Sequence, residues 1–406
     1  MTGTPVAQMY IKDNSVPVVV LVSSQHGGLG IIRSLGREGI SVYGVHQSKW
    51  EPAARSRFLH RVFVWDFSSA AADDSLKFLL ELAQTIGKRP ILIPTSDVTA
   101  SFVAGNAGPL ADQYLFAIPS PEVVDQFSCK KRTYDLCQKL GVPTAVTALV
   151  QSKEEVLDFA RSWKFPVIVK GQDGAFLLKK NENARVAIIS GEEELLNIFD
   201  LNSNGRDPGL ILQEYIAGDD ATVWMFNGYF NEQSDCLFGA TGRKLRQFPA
   251  HRGSTSLGIC ERNEVVEAQT MRLMQAVRYR GPLDMGYRFD ARDGQYKLLD
   301  VNPRIGSTFR LFAAENGLDV SRVLYLHLTK QTVPPSHVSE GRKWIVENND
   351  LVSSLSGMRK GELTAGAWLR SLQDVQEGAW LAWDDLAPLA MLPLLLRRKQ
   401  FPYGRT

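Results

Sequence analysis

The run LLDVNPRIGSTFR, residues 298–310, limits the possible fold more than any other stretch of this chain. Its first half reads as a buried strand, yet Asp300, Asn302 and Arg304 stand two residues apart. That spacing puts all three side chains on one face of a strand. A carboxylate, an amide and a guanidinium are costly to bury together without partners, so that face must meet something polar. Upstream, GPLDMGYRFD and YKLLDVN flank the turn signal ARDG, which predicts a hairpin with Asp284 antiparallel to the polar face. Two facing carboxylates repel unless a cation lies between them. Asp300 and Asn302 offer hard oxygens and Arg304 a cation. Such a set suits Mg²⁺ bridging phosphates, with an arginine on the developing charge.

The surrounding sequence divides into regions. Residues 17–125 alternate strands (PVVVLVSS, ISVYGV, PILIPTS) with helices, LGIIRSLGREG closed by Gly39 and then DSLKFLLELAQTIG. That alternation with short connections predicts a parallel doubly wound α/β sheet. From Phe127 the pattern becomes α+β. A helix in CKKRTYDLCQKLGVPTA ends at Gly141 and Pro143, FPVIVKG and ARVAIIS are partner strands, and EEELLNIFDL is a helix. LILQEYI, TVWMFNGYF and CLFGATGRKLRQF continue in β pattern. After about residue 330 the pattern weakens, and Trp-containing segments predict a small appended lobe. No internal repeat or low-complexity segment is present.

At 406 residues the chain should hold two or three lobes, and 44% apolar with 22% charged residues reads as a soluble globular protein. Lys and Arg number 46 against 44 Asp and Glu, and this near balance argues against general nucleic-acid binding. The four cysteines form no CxxC pair and no metal spacing, so free thiols in a reducing cytoplasm are expected. The N-terminus lacks a secretory pattern, and no run approaches the ~20 apolar residues of a membrane span. LAPLAMLPLLLRR, interrupted by Pro388 and Pro393, is expected to be a packing helix.

Other candidates are weaker singly. The stretch SSQHGGLG carries Gly27, Gly28 and Gly30 but has Arg33 where a dinucleotide fingerprint needs its third glycine. It is either a turn that starts a helix or a helix N-terminus facing an anionic substrate. Around it, His26, Gly27, Gly28, Ser96 and Asp97 are candidates to bind one substrate. Lys170 ends a strand and Lys130 starts a helix, so the two would supply point charges to a polyphosphate; singly each is an ordinary solvated lysine. In LQEYIAGDD a strand edge at Gln213, Glu214, Tyr215 and Ile216 would face a purine, with Asp219-Asp220 near ribose hydroxyls, unless it is simply a strand and a polar turn. TGRKLRQFPAHRGSTS gathers Arg243, Lys244, Arg246, His251 and Arg252 with Gly253 and Ser254. It is either a solvated basic face or a loop for an anionic group.

In this order the residues resemble the ATP-grasp superfamily of ATP-dependent carboxylate–amine ligases, over roughly residues 120–325. The resemblance rests on Lys130 in a K…LGVP context, Lys170 in PVIVK, LQEYI, Asp220, and Asp300-Asn302-Arg304 in place of E-x-N-x-R. It implies ATP and Mg²⁺, or Mn²⁺ in its place. Lys130, Lys170, Gln213 to Ile216 and Asp220 would hold the nucleotide, and Asp284, Asp300 and Asn302 the metal. Arg304 would act with Arg243 or Arg246 as the catalytic cations. Two departures stand out. Asp300 is one methylene shorter than the usual glutamate, and the phosphate flap is reduced to GQDGAFLLKK, where Lys179 or Lys180 would compensate. Tyr287 or Asp290 is the alternative to Asp284. The implied layout is a preceding α/β domain at 1–120, an ATP-grasp domain at 121–330 and a C-terminal lobe at 331–406. Within the ATP-grasp domain the small lobe would lie near 140–215 and the large lobe near 216–330. Among such enzymes IPTSD, RKLRQFP and LLDVNPRIG look most like ligases of the D-aspartate ligase type. The implied activity joins a small carboxylate and an amine through an acylphosphate, by a cytoplasmic enzyme that would form a homodimer. A small-molecule kinase and an inactive nucleotide-binding regulator are the rivals.

Overall fold

A computed structural model describes residues 10–22, 26–172, 176–179, 182–184, 186–203, 209–251 and 253–397. It has the mixed α/β character expected, and it divides into two units that interleave along the chain. One comprises Met1–Val124, Met225–Asp284 and Asn302–Thr406, the other Asp125–Trp224 and Met285–Val301.

In the first unit, strands Leu59–Val64, Val42–His46, Val18–Leu21 and Ile91–Pro94 lie side by side in that order, all parallel. Every residue of Val18–Leu21 is buried, as expected of a strand covered on both faces. Helix His26–Gly36 begins three residues before the expected start and takes Gly27 and Gly28 into its first turn. The reason is tertiary. A Cβ on Gly27 would lie 2.9 Å from the Ser307 Cα, and one on Gly28 would lie 2.7 Å from a Val22 methyl. These glycines permit close approach of the backbone. Helix Asp97–Gly105 starts at a reciprocal cap in which Ser96 and Thr99 each bond the other's backbone N–H.

The same unit holds strands Cys236–Phe248 and Ser254–Cys260, paired antiparallel. Strands Lys343–Ile345 and Val375–Gly378 extend this sheet, so the C-terminal segment contributes β structure rather than helices alone. One large core joins helix His26–Gly36, Phe309, Phe312, helix Val320–Leu328 and Trp344. Leu392 of helix Ala387–Arg397 is buried in it, which is the packing role expected of that apolar run.

The second unit has its own four-stranded antiparallel sheet, ordered Thr147–Val150, Leu210–Glu214, Val167–Gly171 and Val186–Ile189. Helix Lys130–Leu140 ends where expected, with Gly141 left-handed at φ 63°. Strands Gly281–Asp290 and Gln295–Asn302 form the expected hairpin arms. Both arms cross the boundary between units. Asp284 and Asn302 therefore fall in the first unit and Asp300 in the second.

Candidate functional site

In the first unit a row of polar side chains runs from the hairpin to the parallel sheet. Asp284 Oδ1 accepts from Asn227 Nδ2 at 3.4 Å and Oδ2 accepts from Asn302 Nδ2 at 3.2 Å. Arg304 Nη2 donates to Asn302 Oδ1 at 3.3 Å, and its Nε donates to Asp97 Oδ1 at 2.7 Å. This row pairs Asp284, not Asp290 or Tyr287, with Asn302. Loss of hydration pushes the Asp284 carboxyl above the usual range, against the opposing pull of Arg304, the two amides and Lys244. Gly306 closes over it: a Cβ there would lie 2.3 Å from the Asp284 Cγ. The loop after Arg304 is thus shaped around this carboxylate.

The basic run from Arg243 onward has partners already. Arg243 Nε donates to Glu261 at 2.6 Å. Arg246 binds the buried Asp350 through Nε at 2.8 Å and Nη2 at 3.1 Å, and Ser371 through Nη1 at 2.8 Å. Lys244 Nζ donates to the Gly253 carbonyl at 2.9 Å and to Gln247 at 3.1 Å. Gly253 lies so close to the Phe248 carbonyl that a Cβ has no room, whereas Ser254 is exposed. His26 is buried against Trp344 and Trp380, with ring centroids 5.2 and 6.0 Å away. Burial pushes its imidazole down to about 4, partly opposed by a hydrogen bond to the Ser307 backbone. It is neutral at physiological pH, and its Nε2 has no partner among the described residues.

The second unit gathers the two lysines. Lys170, on strand Val167–Gly171, donates to Gln213 Oε1 at 2.8 Å, and Gln213 Nε2 donates to Thr147 at 3.0 Å. Loss of hydration, then the positive charge of Lys130, lowers the Lys170 ammonium to about 7. Lys130, first residue of its helix, is paired with Asp300. Two neighbouring ammonium groups that disfavour each other's charge make a region ready to accept an anion. Next to Gln213, the buried Glu214 accepts from Lys297 at 2.9 Å and Arg292 at 3.3 Å. Both cations also hold Asp290, whose carboxyl they keep below the usual range, Arg292 first. The Arg288 guanidinium lies 5.9 Å from the Tyr215 ring centre and bonds the Gly218 carbonyl. Ile216 is buried, and Asp220 opens the short helical turn Asp220–Thr222. Lys180 lies outside the described residues.

A divalent cation fits the groups of the polar row. Asn227 Oδ1 is buried without a partner among the described residues, beside a carboxylate that has lost hydration. Among those residues no three His, Cys, Asp or Glu side chains cluster to hold a metal by themselves. The available donors are carboxylates and amides, a set typical of Mg²⁺ completed by substrate phosphates. Sequence reasoning passed over Asn227, Lys297 and Gly306. A polar Asn inside the apolar run MFNGYF was the one usable signal.

No family model matches the chain. It is 22% identical over 321 residues to D-aspartate ligase of Enterococcus faecium, covering 76% of each chain. It is 21% identical to carbamoyl phosphate synthase large chain of Xylella fastidiosa, but spans only 21% of that protein. Among solved structures, N5-carboxyaminoimidazole synthetase of Staphylococcus aureus superimposes with a TM-score of 0.63 at 13% identity, over 85% of this chain and 86% of that one. The biotin carboxylase domain of Hydrogenobacter thermophilus 2-oxoglutarate carboxylase, a dimer solved with MgADP and bicarbonate, gives 0.60 at 16%, over 80% and 72%.

Proposed function

We propose that this chain, a homologue of D-aspartate ligase with the ATP-grasp fold, is an ATP- and Mg²⁺-dependent carboxylate–amine ligase. The carboxylate attacks the γ-phosphorus of ATP, giving an acylphosphate and ADP. The amine adds to the acyl carbon, loses a proton, and the tetrahedral intermediate expels phosphate to leave an amide. The observation that carries this reading is the row Asp284–Asn302–Arg304, hydrogen-bonded in sequence order with Gly306 packed against the carboxylate.

The roles follow from the chemistry of each group. Lys130 and Lys170 neutralise phosphate oxygens. Gln213 to Ile216 present the strand edge to the purine, with Asp220 for the ribose. Asp284, Asp300 and Asn302 would hold Mg²⁺, which when bound screens the phosphate charge and polarises the transferring group. Arg304 stabilises charge on the phosphoryl group and the oxyanion, with Arg243 as second cation. Arg246, committed to Asp350 and Ser371, holds the strand that carries Arg243. No covalent nucleophile is required. Residues 1–120 are read as a doubly wound domain preceding the ATP-grasp domain at 121–330, with 331–406 as an accessory lobe. A cytoplasmic homodimer with D-aspartate-like acids as substrates is the finer form of the proposal. No described helix is long and apolar enough to cross a membrane.

The test is ADP and phosphate release from Mg-ATP across a panel of acids and amines, with Asp284→Asn in parallel. Release that needs both an acid and an amine, and that the variant lacks, is the expected result. Release with the acid alone that continues without an amine, or no ATP binding, overturns the reading.

A further inference from the structure

We propose that Asp97 docks the amine substrate, taking its ammonium group on Oδ2 while Oδ1 holds Arg304. The second substrate is then a cationic primary amine. The inference rests on the ligase reading and deepens it. Asp97 is the first residue of its helix, but the cap is made by its neighbours, the Ser96 and Thr99 side chains each accepting from the other's backbone N–H. Its carboxylate is therefore available for other work. Oδ1 accepts from Arg304 Nε at 2.7 Å, and Oδ2 has no hydrogen-bond partner among the described residues. The Asp97 side chain is 65% exposed, whereas Arg304 is only 17% exposed.

An ion pair so open to water adds little stability, and the further structural gain is the modest one of an acid in the first turn of a helix. Beside an arginine that must meet a phosphoryl group, the carboxylate also carries a cost: it offsets the charge the arginine brings. A carboxylate accepts hydrogen bonds on both oxygens and can bridge two cations. With an ammonium group on Oδ2, the nitrogen is held one carboxylate away from the guanidinium, and it gives up a proton to water before its lone pair attacks the acyl carbon. The remaining Arg304 contacts are long, 3.3 Å to Asn302 and 3.4 Å to the Ile305 carbonyl. Its Nη groups can therefore turn to a reacting anion without losing strong bonds.

Asp97→Asn tests this while keeping an Oδ1 acceptor for Arg304. KM is measured for Mg-ATP, for the preferred amine among the twenty L-amino acids, and for hydroxylamine. Hydroxylamine is uncharged at pH 8 and traps an acylphosphate as a hydroxamate. Loss of a charged hydrogen bond should raise the amino-acid KM roughly 10- to 100-fold. The hydroxylamine and ATP values should stay near those of the wild type, and Asp97→Glu should recover part of the loss. An unchanged amino-acid KM overturns the proposal, as does an equal rise for hydroxylamine, which would mean that Asp97 only arranges Arg304. Wild-type protein that forms neither amide nor hydroxamate would remove the ligase reading and this proposal together. Wild-type hydroxamate formation with an unaffected amino-acid KM in the variant removes only the role of Asp97.

Discussion

Lys170 gives the sharpest quantitative expectation. Burial and Lys130 lower its ammonium to about 7, well below the ordinary lysine value of 10.5. Phosphates favour the charged form, so ATP binding takes up a proton wherever the free protein has lost it. With a value near 7, about half the lysines are charged at pH 7 and about one in a hundred at pH 9. The Kd for Mg-ATP should therefore weaken roughly 50-fold between pH 7 and pH 9, with about 0.9 proton taken up per ATP at pH 8. Calorimetric titration in buffers of different ionisation enthalpy measures both quantities. Lys170→Arg keeps its charge throughout and should flatten the profile. The same shift makes the free protein less stable towards pH 7 than at pH 9, because the unfolded chain binds a proton that the fold resists. A flat wild-type profile, or an equal slope in Lys170→Arg, refutes the reasoning.

Three further outcomes follow from the packing. Asp350→Ala strands the mostly buried Arg246 without its carboxylate and should cost about 3–5 kcal/mol in urea unfolding. Lys297→Met leaves Glu214 and Asp290, both almost fully buried, with only the half-exposed Arg292. A loss of about 3–5 kcal/mol by the same measurement, together with weaker ATP binding, is expected. Gly306→Ala places a methyl against the Asp284 carboxylate and should lower kcat about 100-fold while circular dichroism stays native.

Particular residues show what could be read in advance. Strands Val18–Leu21, Val42–His46 and Ile91–Pro94 and the stop at Gly141 were legible because apolar β runs and turn chemistry are local, whereas the edge strand Leu59–Val64, with its polar and half-buried residues, was not. Asp300, Asn302 and Arg304 were expected on one strand face by the period of two, but the strand ends at Asn302, Arg304 follows it in a bend, and Asp300 pairs with Lys130 while Asn302 joins Asp284 and Arg304. Gly27 and Gly28 were read as a turn or an anion loop, yet in the structure they lie inside a helix. What requires glycine there is the closeness of Ser307 and Val22, one of them nearly 280 positions away in sequence. Arg246 and His26 were candidates by residue type alone. Nothing in RKLRQFP announces Asp350 as the partner, and nothing near HGG announces two tryptophans from the end of the chain.

By itself, then, the sequence determined part of the strand and helix order and the hairpin, consequences of periodicity and turn preference within short windows, while strand Leu59–Val64 and helices Lys153–Trp163 and Glu264–Ala276 appear only in the structure. The tertiary structure alone decided which charges are neutralised. It paired Arg304 with Asp97, Arg246 with Asp350 and Lys297 with Glu214, and it withdrew water from Asp284 and Lys170. Desolvation and charge pairing depend on distances between segments remote in sequence, and no local pattern encodes those distances.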